Sequence, residues 1–319
     1  MRLEGIHHIT LITGDAPHNV DFYTRVLGLR LVKKTVNQDD PTVYHLFYAD
    51  EAASAGADIT FFEYPGARRG RAGAGTVHTI VYRVGSEEAL EFWEQRLRSE
   101  GLPVERSEED LVFEDPEGVQ LELGIVETSE EPLVAIHPEI PPEHALQGFD
   151  GVRAYAREVS ASKRFLEGSL GFESLDEGSW HARGHHRSGF YDLNPPPPAP
   201  GIPGAGTVHH VAWASTLEDH EVWRERVAGA GMQPTPVIDR FYFKSIYFRE
   251  PSGVLFEIAT LGPGFATDED PAHLGERLSL PPAFEHLRER IEPALTPLPA
   301  SSWRKMRIRG SGSSSRKDP

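Results

Sequence analysis

The chain repeats itself, and the repeat constrains its architecture more than any single residue does. GTVHTI (75–80) returns as GTVHHV (206–211). Each copy leads into an amphipathic helical stretch with a tryptophan and a glycine stop, EFWEQRLRSEG (91–101) and EVWRERVAGAG (221–231). Each then reaches a turn and a last apolar strand, EDPEGVQLELG (114–124) and REPSGVLFEIA (249–259). Trp93 matches Trp223, Arg96 matches Arg226, Gly101 matches Gly231 and Glu122 matches Glu257. A fainter pair couples GIHHITLI, beginning at Gly5, to GFDGVRAYA, beginning at Gly148. Both precede a helix ending in Leu-Gly-apolar, DFYTRVLGL (21–29) and KRFLEGSLGF (163–172). Self-similarity of this kind marks a duplicated supersecondary unit. The chain reads as four modules in the order odd, even, odd, even.

The modules share one internal pattern. HHITLIT and VHHVAWA alternate as half-buried strands do. Phe22, Val26 and Leu29 recur at helical spacing, and Gly28, Gly101, Gly171 and Gly231 supply stops. DPEG and EPSG are turns that feed a final strand. The expected fold class is α+β, with four βαβββ modules at 5–64, 75–125, 147–193 and 206–260. Residues 1–130 form the expected N-terminal domain and 147–265 the C-terminal one, joined by the linker 131–146. NPPPPAPGIPGAG (194–206) has no place inside a sheet and reads as a stiff connector. PPAFEHLRERIEPAL (281–295) reads as one helix within a helical extension over 266–300, and 301–319 as a disordered tail.

Composition narrows the chemistry. None of the 319 residues is cysteine, so disulfides, thiolate ligands and cysteine nucleophiles are excluded. Any metal must be held by His, Asp or Glu. A formal net charge of −17 argues against nucleic acid and anionic membranes as partners. No apolar run approaches the ~20 residues of a membrane span. MRLEGIHHIT lacks the apolar region of a secretory leader, so a cytoplasmic location is expected.

Histidine is a poor choice for a strand core unless something uses its nitrogens. Yet His-His pairs stand in GIHHITLIT (5–13) and GTVHHVAWAS (206–215). Side chains alternate faces along a strand. His8 then shares a face with Thr10, and His210 with Ala212, while His7 and His209 fall on the opposite faces. One histidine of each pair is expected to reach a common pocket. Glu257, between Phe256 and Ile258, is costly in an apolar strand unless paired or metal-bound. The repeat indicates which modules can share a site. The first-strand ligand position reads His8, Thr79, Gly151 and His210, and the last strands of the even modules offer Glu122 and Glu257. Modules one and two fall one ligand short, as do three and four, and two with three keep only Glu122. Modules one and four alone supply His8, His210 and Glu257. Two imidazoles and a carboxylate are the facial set of non-haem Fe(II) oxygenases. One complete site built by both halves, and one relic, are expected.

The four-module plan, FYTRVLGL, GIHHITLITGDA (5–16), VYHLFYADE (43–51), GTVHHVAWA (206–214) and DRFYFKSIYFREPSGVLFEIAT (239–260) resemble the vicinal oxygen chelate superfamily. That group includes glyoxalases, bleomycin-resistance proteins and extradiol dioxygenases. The resemblance is closer to the hydroquinone-type ring-cleaving dioxygenases and spans roughly residues 1–290. It implies two glyoxalase-like domains with cupped mixed sheets. It implies Fe(II), or alternatively Mn(II), on His8, His210 and Glu257. It places His7, Thr10, His209, Arg240 and Tyr247 around the substrate as catalytic residues. It implies an aromatic diol and O2 as partners and allows a homo-oligomer.

The expected activity is therefore Fe(II)-dependent ring cleavage of a hydroquinone- or catechol-type diol. Dioxygen reacts slowly with closed-shell rings; Fe(II) can bind both reactants and pass an electron between them, which zinc cannot. A glyoxalase-like isomerase or lyase is the alternative, and it usually needs a fourth protein ligand. A non-catalytic small-molecule-binding protein of the same superfamily is a third reading, and such relatives generally lack the ligands. Simpler roles are expected for other residues. Glu122 reads as a carboxylate that pairs with a base or faces water, and His78, aligned with His209 and not with a ligand, as a second-layer or core residue. HARGHHRSG (181–189) reads as a hairpin turn. His45 reads equally as a pocket residue or a buried polar one.

Overall fold

The structure is a computed structural model describing residues 1–298; the tail expected over 301–319 lies outside the described residues. Each module is built as βαβββ. Module one comprises β1 (Ile6–Thr13), α1 (Ala16–Asp21), which runs on as a π-helical turn (Phe22–Val26), β2 (Arg30–Asn37), β3 (Asp40–Ala49) and β4 (Asp58–Glu63). Module two comprises β5 (Val77–Val84), α2 (Glu87–Ser99), β6 (Val104–Arg106), β7 (Asp110–Glu114) and β8 (Gln120–Ile125). Module three comprises β9 (Phe149–Tyr155), α3 (Ser160–Phe165), again prolonged by a π-helical turn (Leu166–Leu170), β10 (Glu173–Asp176), β11 (Ser179–Arg183) and β12 (Ser188–Asn194). Module four comprises β13 (Thr207–Ser215), α4 (His220–Gly229), β14 (Ile238–Asp239), β15 (Lys244–Arg249) and β16 (Leu255–Thr260). The stretch 181–189 is the expected hairpin, with β11 antiparallel to β12.

Two eight-stranded mixed sheets result, and each joins one odd module to one even module. The order β14-β15-β16-β13-β1-β4-β3-β2 unites modules one and four. The order β10-β11-β12-β9-β5-β8-β7-β6 unites modules two and three. The central pairs, β1 with β13 and β5 with β9, are antiparallel. Within each module the first strand runs parallel to the last. Each sheet thus draws strands from both halves of the polypeptide.

The repeat is legible in the packing. Trp93 and Trp223 are both fully buried, and truncating either would cost about 3–5 kcal/mol. Glycine with positive φ precedes all four first strands, at Gly5, Gly75, Gly148 and Gly206. At Gly206 (φ 77°) a Cβ would stand 2.1 Å from the Glu117 carbonyl oxygen, so no other residue fits. The turns before the last strands are pinned to the neighbouring odd module in both pairs. Tyr23 donates to Asp115 Oδ2 (3.1 Å), and Ser162 donates to Glu250 Oε2 (2.6 Å). Burial pushes the Asp115 carboxyl up to about 6, against the hydrogen bonds it accepts from Val119 and Glu117 N–H.

Residues 261–280 leave β16 and return to β2. Arg30 Nη2 donates to the Pro271 carbonyl (2.9 Å), Ser279 N–H to the Lys34 carbonyl (2.9 Å), and the buried Lys33 ammonium to Asp268 (2.7 Å) and Glu269. The helix expected over 281–295 is broken into Pro282–Glu285, Arg288–Ile291 and a 3-10 turn at Glu292–Ala294. The backbone opens at Leu287 (φ −100°, ψ 0°), and Pro293 brings no N–H to continue the ladder. No helix of the described residues is long and apolar enough to cross a membrane.

Candidate metal centre

The histidine pairs owe their geometry to two β-bulges. β1 and β13 are in register from His8 opposite Ala212 to Thr10 opposite His210, and the register slips on either side. The extra residues are His7 on β1 and His209 on β13. A bulge sets two residues against one and re-aims the side chain it displaces. The expectation of one histidine per face therefore fails, because alternation presumes an unbroken ladder. Instead the two rings of each pair meet through their Nδ1 atoms, His7 with His8 at 2.9 Å and His209 with His210 at 2.7 Å.

The second histidine of each pair converges on Glu257. His8 Nε2 and His210 Nε2 are 3.3 Å apart, and Glu257 Oε2 lies 3.2 Å from the former and 2.9 Å from the latter. The three side chains are 2%, 4% and 0% exposed. Atoms bound at right angles about 2.1 Å from one ion stand about 3.0 Å apart, and tetrahedral ones about 3.4 Å. The observed triangle suits three neighbouring positions on a single ion. Glu257 Oε1 accepts from Ser245 Oγ, while Oε2 is buried without a hydrogen-bond donor. Burial pushes this carboxyl up, but the two imidazoles pull it well below the usual range. Burial holds His210 below its usual value despite the carboxylate. A carboxylate and two imidazole lone pairs facing one point in a dry interior call for a cation.

The outer histidines differ from each other. His7 Nε2 lies 3.1 Å from the Thr260 carbonyl, which can only accept. His7 therefore carries its proton on Nε2, its Nδ1 accepts from His8 Nδ1–H, and His8 Nε2 presents a lone pair. Burial, then the neighbouring His8, brings His7 down to about 3, so it stays neutral. His209 is exposed, with its ring edge-on to Phe62 (5.7 Å).

His8 and His210 border a small cavity of about 40 Å³. Phe47, Phe62, Tyr242 and Phe243 give it aromatic walls. Tyr247 sits opposite Glu257 in the β15–β16 pair, with its ring 5.6 Å from that of His210. Burial, then Glu257, pushes the Tyr247 phenol up, and it accepts from Arg240 Nε (3.3 Å). Arg240 lies in the cavity wall. His45 lines the cavity too, which decides between its two sequence readings. Its Nε2 meets Thr60 Oγ1 (2.8 Å), which donates to Thr10 Oγ1 (2.9 Å), and burial holds the ring well below its usual value. Thr10 is fully buried and connects to the cavity wall through Thr60 and His45. Asp39 at the mouth had no sequence signal, because it stands in a short polar turn like any other.

The model of the Glyoxalase/Bleomycin resistance protein/Dioxygenase superfamily matches residues 5–123 and 148–258. The chain belongs to this superfamily. Among its relatives is MhqO of Bacillus subtilis (strain 168), provisionally named a ring-cleaving dioxygenase, 44% identical over 92% of this chain and 96% of that protein. The chlorohydroquinone/hydroquinone 1,2-dioxygenase of Sphingobium indicum is 32% identical over 91% of this chain and 95% of that protein. A crystal structure from Bacillus subtilis, described provisionally as a dioxygenase, superposes with a TM-score of 0.87 at 41% identity, covering 94% and 98% of the two chains. Glyoxalase I from Zea mays shares the fold alone, with a TM-score of 0.56 at 15% identity over 81% of this chain and 92% of that one.

The second sheet of this superfamily member repeats the bulges without the ligands. The extra residues there are Asp150 on β9 and His78 on β5. Gly151 replaces His8, and the Phe190 ring fills its space, 2.3 Å from where a Cβ would sit. Thr79 replaces His210. Glu122, equivalent to Glu257, accepts from Arg153 Nε (3.1 Å) and Nη2 (2.7 Å), and Arg153 also reaches Asp192. A fixed guanidinium stands beside the carboxylate here, as expected for a carboxylate paired with a base. His78 is partly buried and bonded to Thr79 and Asn194. Among the described residues the one grouping with metal-ligand spacing is His8, His210 and Glu257.

Proposed function

We propose that the chain is an Fe(II)-dependent ring-cleaving dioxygenase of hydroquinone- or catechol-type diols. The carrying observation is the buried His8–His210–Glu257 triangle bordering an aromatic-walled cavity. The names of the 44% and 32% identical relatives support the same reading. When bound, Fe(II) supplies a site where dioxygen and a phenolate exchange an electron, which the spin state of dioxygen otherwise forbids. In the overall reaction one ring carbon–carbon bond breaks beside a hydroxyl-bearing carbon, and both oxygen atoms are kept in the product.

The chain's own groups orient the diol and move its protons. Phe47, Phe62 and Phe243 stack on the ring and keep water out. His45 is neutral, with Nε2 engaged by Thr60, so its Nδ1 lone pair can take a proton from a diol hydroxyl. Tyr247 stays protonated and accepts from Arg240, which leaves its O–H to donate to a substrate or oxygen atom. His7 fixes the His8 ring through the Thr260 carbonyl, and His209 meets His210 Nδ1 from the solvent side.

The test is anaerobic loading with Fe(II) followed by oxygen-electrode measurement with hydroquinone and with catechol. Consumption of one O2 per diol, absent in Glu257→Gln, is the expected result. A chain carrying one Fe(II) that consumes oxygen with neither diol overturns the reading.

A further inference from the structure

The mouth of the cavity has an unusual charge arrangement. Among the described lining residues Arg240 carries the one permanent positive charge, and Asp39 is the one carboxylate. Three of the five guanidinium N–H groups are taken, including both that form its outer edge. Nε donates inward to Tyr247 (3.3 Å), and Nη1 and Nη2 donate outward to Asp39 (3.1 and 2.9 Å). The Arg240 side chain is 16% exposed and that of Asp39 72%, so the carboxylate stands on the solvent side. Gln38 Nε2 holds the Arg240 carbonyl (2.6 Å) from the same turn. Phe241 is kept at φ 71°, with its N–H on Asp239 (2.8 Å), a conformation a bulky residue rarely adopts. The other cation near this wall, Lys33, lies behind Tyr242 and is bonded to Asp268 and Glu269.

A bidentate arginine edge is the natural receptor for a ring carboxylate. In this chain that edge is already filled from within. We propose that Asp39 is a specificity-determining residue, which withholds Arg240 from carboxylated rings and restricts the cavity to diols with uncharged substituents. The inference rests on the diol reading above. It is discrimination by a repulsive element: an entering carboxylate meets a like charge first and a cation whose bidentate edge is already occupied. Aromatic walls meanwhile favour methyl or halogen at the same ring position.

The test compares methyl-substituted with carboxyl-substituted hydroquinone on the iron-loaded full chain, by anaerobic calorimetric binding and by oxygen uptake. The parent binds the methyl compound more tightly. Asp39→Asn, or Asp39→Ser as a second variant at this exposed turn, narrows the preference by about ten-fold. Adding Arg240→Gln to Asp39→Asn abolishes that gain. Equal binding of the two compounds by the parent, or an unchanged preference in both Asp39 variants, overturns the proposal. If the binding preference behaves as stated but no oxygen is consumed, the charge inference stands and the ring-cleavage reading falls. If oxygen is consumed equally with both compounds, the reverse holds.

Discussion

His8 and His210 bring their Nε2 atoms within 3.3 Å although 202 residues separate them in the chain. Glu257 closes the triangle with a buried oxygen that has no donor. An ion bound here stabilises the folded chain by mass action, about 2.7 kcal/mol at a free concentration one hundred times the dissociation constant. Thermal unfolding with Mn(II), which does not oxidise during the scan, should show this increment. His210→Ala should lose it. Full retention in that variant would falsify the triangle as the binding site.

His7 touches the triangle through His8 Nδ1 and is itself anchored on the Thr260 carbonyl. His7→Phe removes the acceptor for His8 Nδ1–H and keeps a planar ring beside Phe243 (5.3 Å). Metal affinity should fall about 10–100-fold with little change in the metal-free unfolding curve. Competition against a chelator measures it. An unaltered affinity would mean that the Nδ1 contact does not orient the ligand.

Arg153 sits where the second sheet could have held an ion. Arg153→Met leaves Glu122 and Asp192 without their partner, both largely buried. The expected cost is about 1–3 kcal/mol, since the arginine is partly exposed and solvent replaces some of what it provided. Bound metal should remain at one ion per chain. Denaturant unfolding and elemental analysis report the two quantities, and a second bound ion would show that the guanidinium, not the missing ligands, keeps metal out.

Asp115 gives a pH signature away from the metal. Burial pushes its carboxyl in the folded chain from 3.8 up to about 6. Between these values the folded chain keeps a proton that the unfolded chain has lost, so this group's contribution to stability falls as pH rises through the window. A difference of that size corresponds to about 3 kcal/mol. Asp115→Asn, which can still accept from the turn, should gain about 2–3 kcal/mol on the parent between about pH 4 and pH 7. Urea unfolding at a series of pH values checks this, and parallel profiles would refute it.

Particular residues show what a sequence can and cannot carry. The pairing of modules one and four was legible because only His8, His210 and Glu257 complete a ligand set, and ligand chemistry tolerates no substitute. The placement of His7 and His209 beside the ligand rings was not, because a bulge leaves no mark in a pattern of alternating residues. Gly5 and Gly206 hint at irregular backbone, yet glycines open many strands. His45 stayed undecided until its strand's register placed it opposite Phe62. The break at Leu287 escaped notice because the flanking residues are ordinary helix formers. Phe190 filling the Gly151 position was invisible, since it depends on the parallel pairing of β9 with β12, the first and last strands of their module.

The strand order has a consequence for how such a molecule is made. The two central pairs are nested like brackets, β5 with β9 inside β1 with β13. On a ribosome the inner bracket can close as soon as Phe149–Tyr155 has emerged, while β1, synthesised first, waits for its antiparallel mate in Thr207–Ser215. Such distant pairing is slow to form. A cation held by this triangle would therefore be taken up late in biogenesis, only by a polypeptide translated past Glu257.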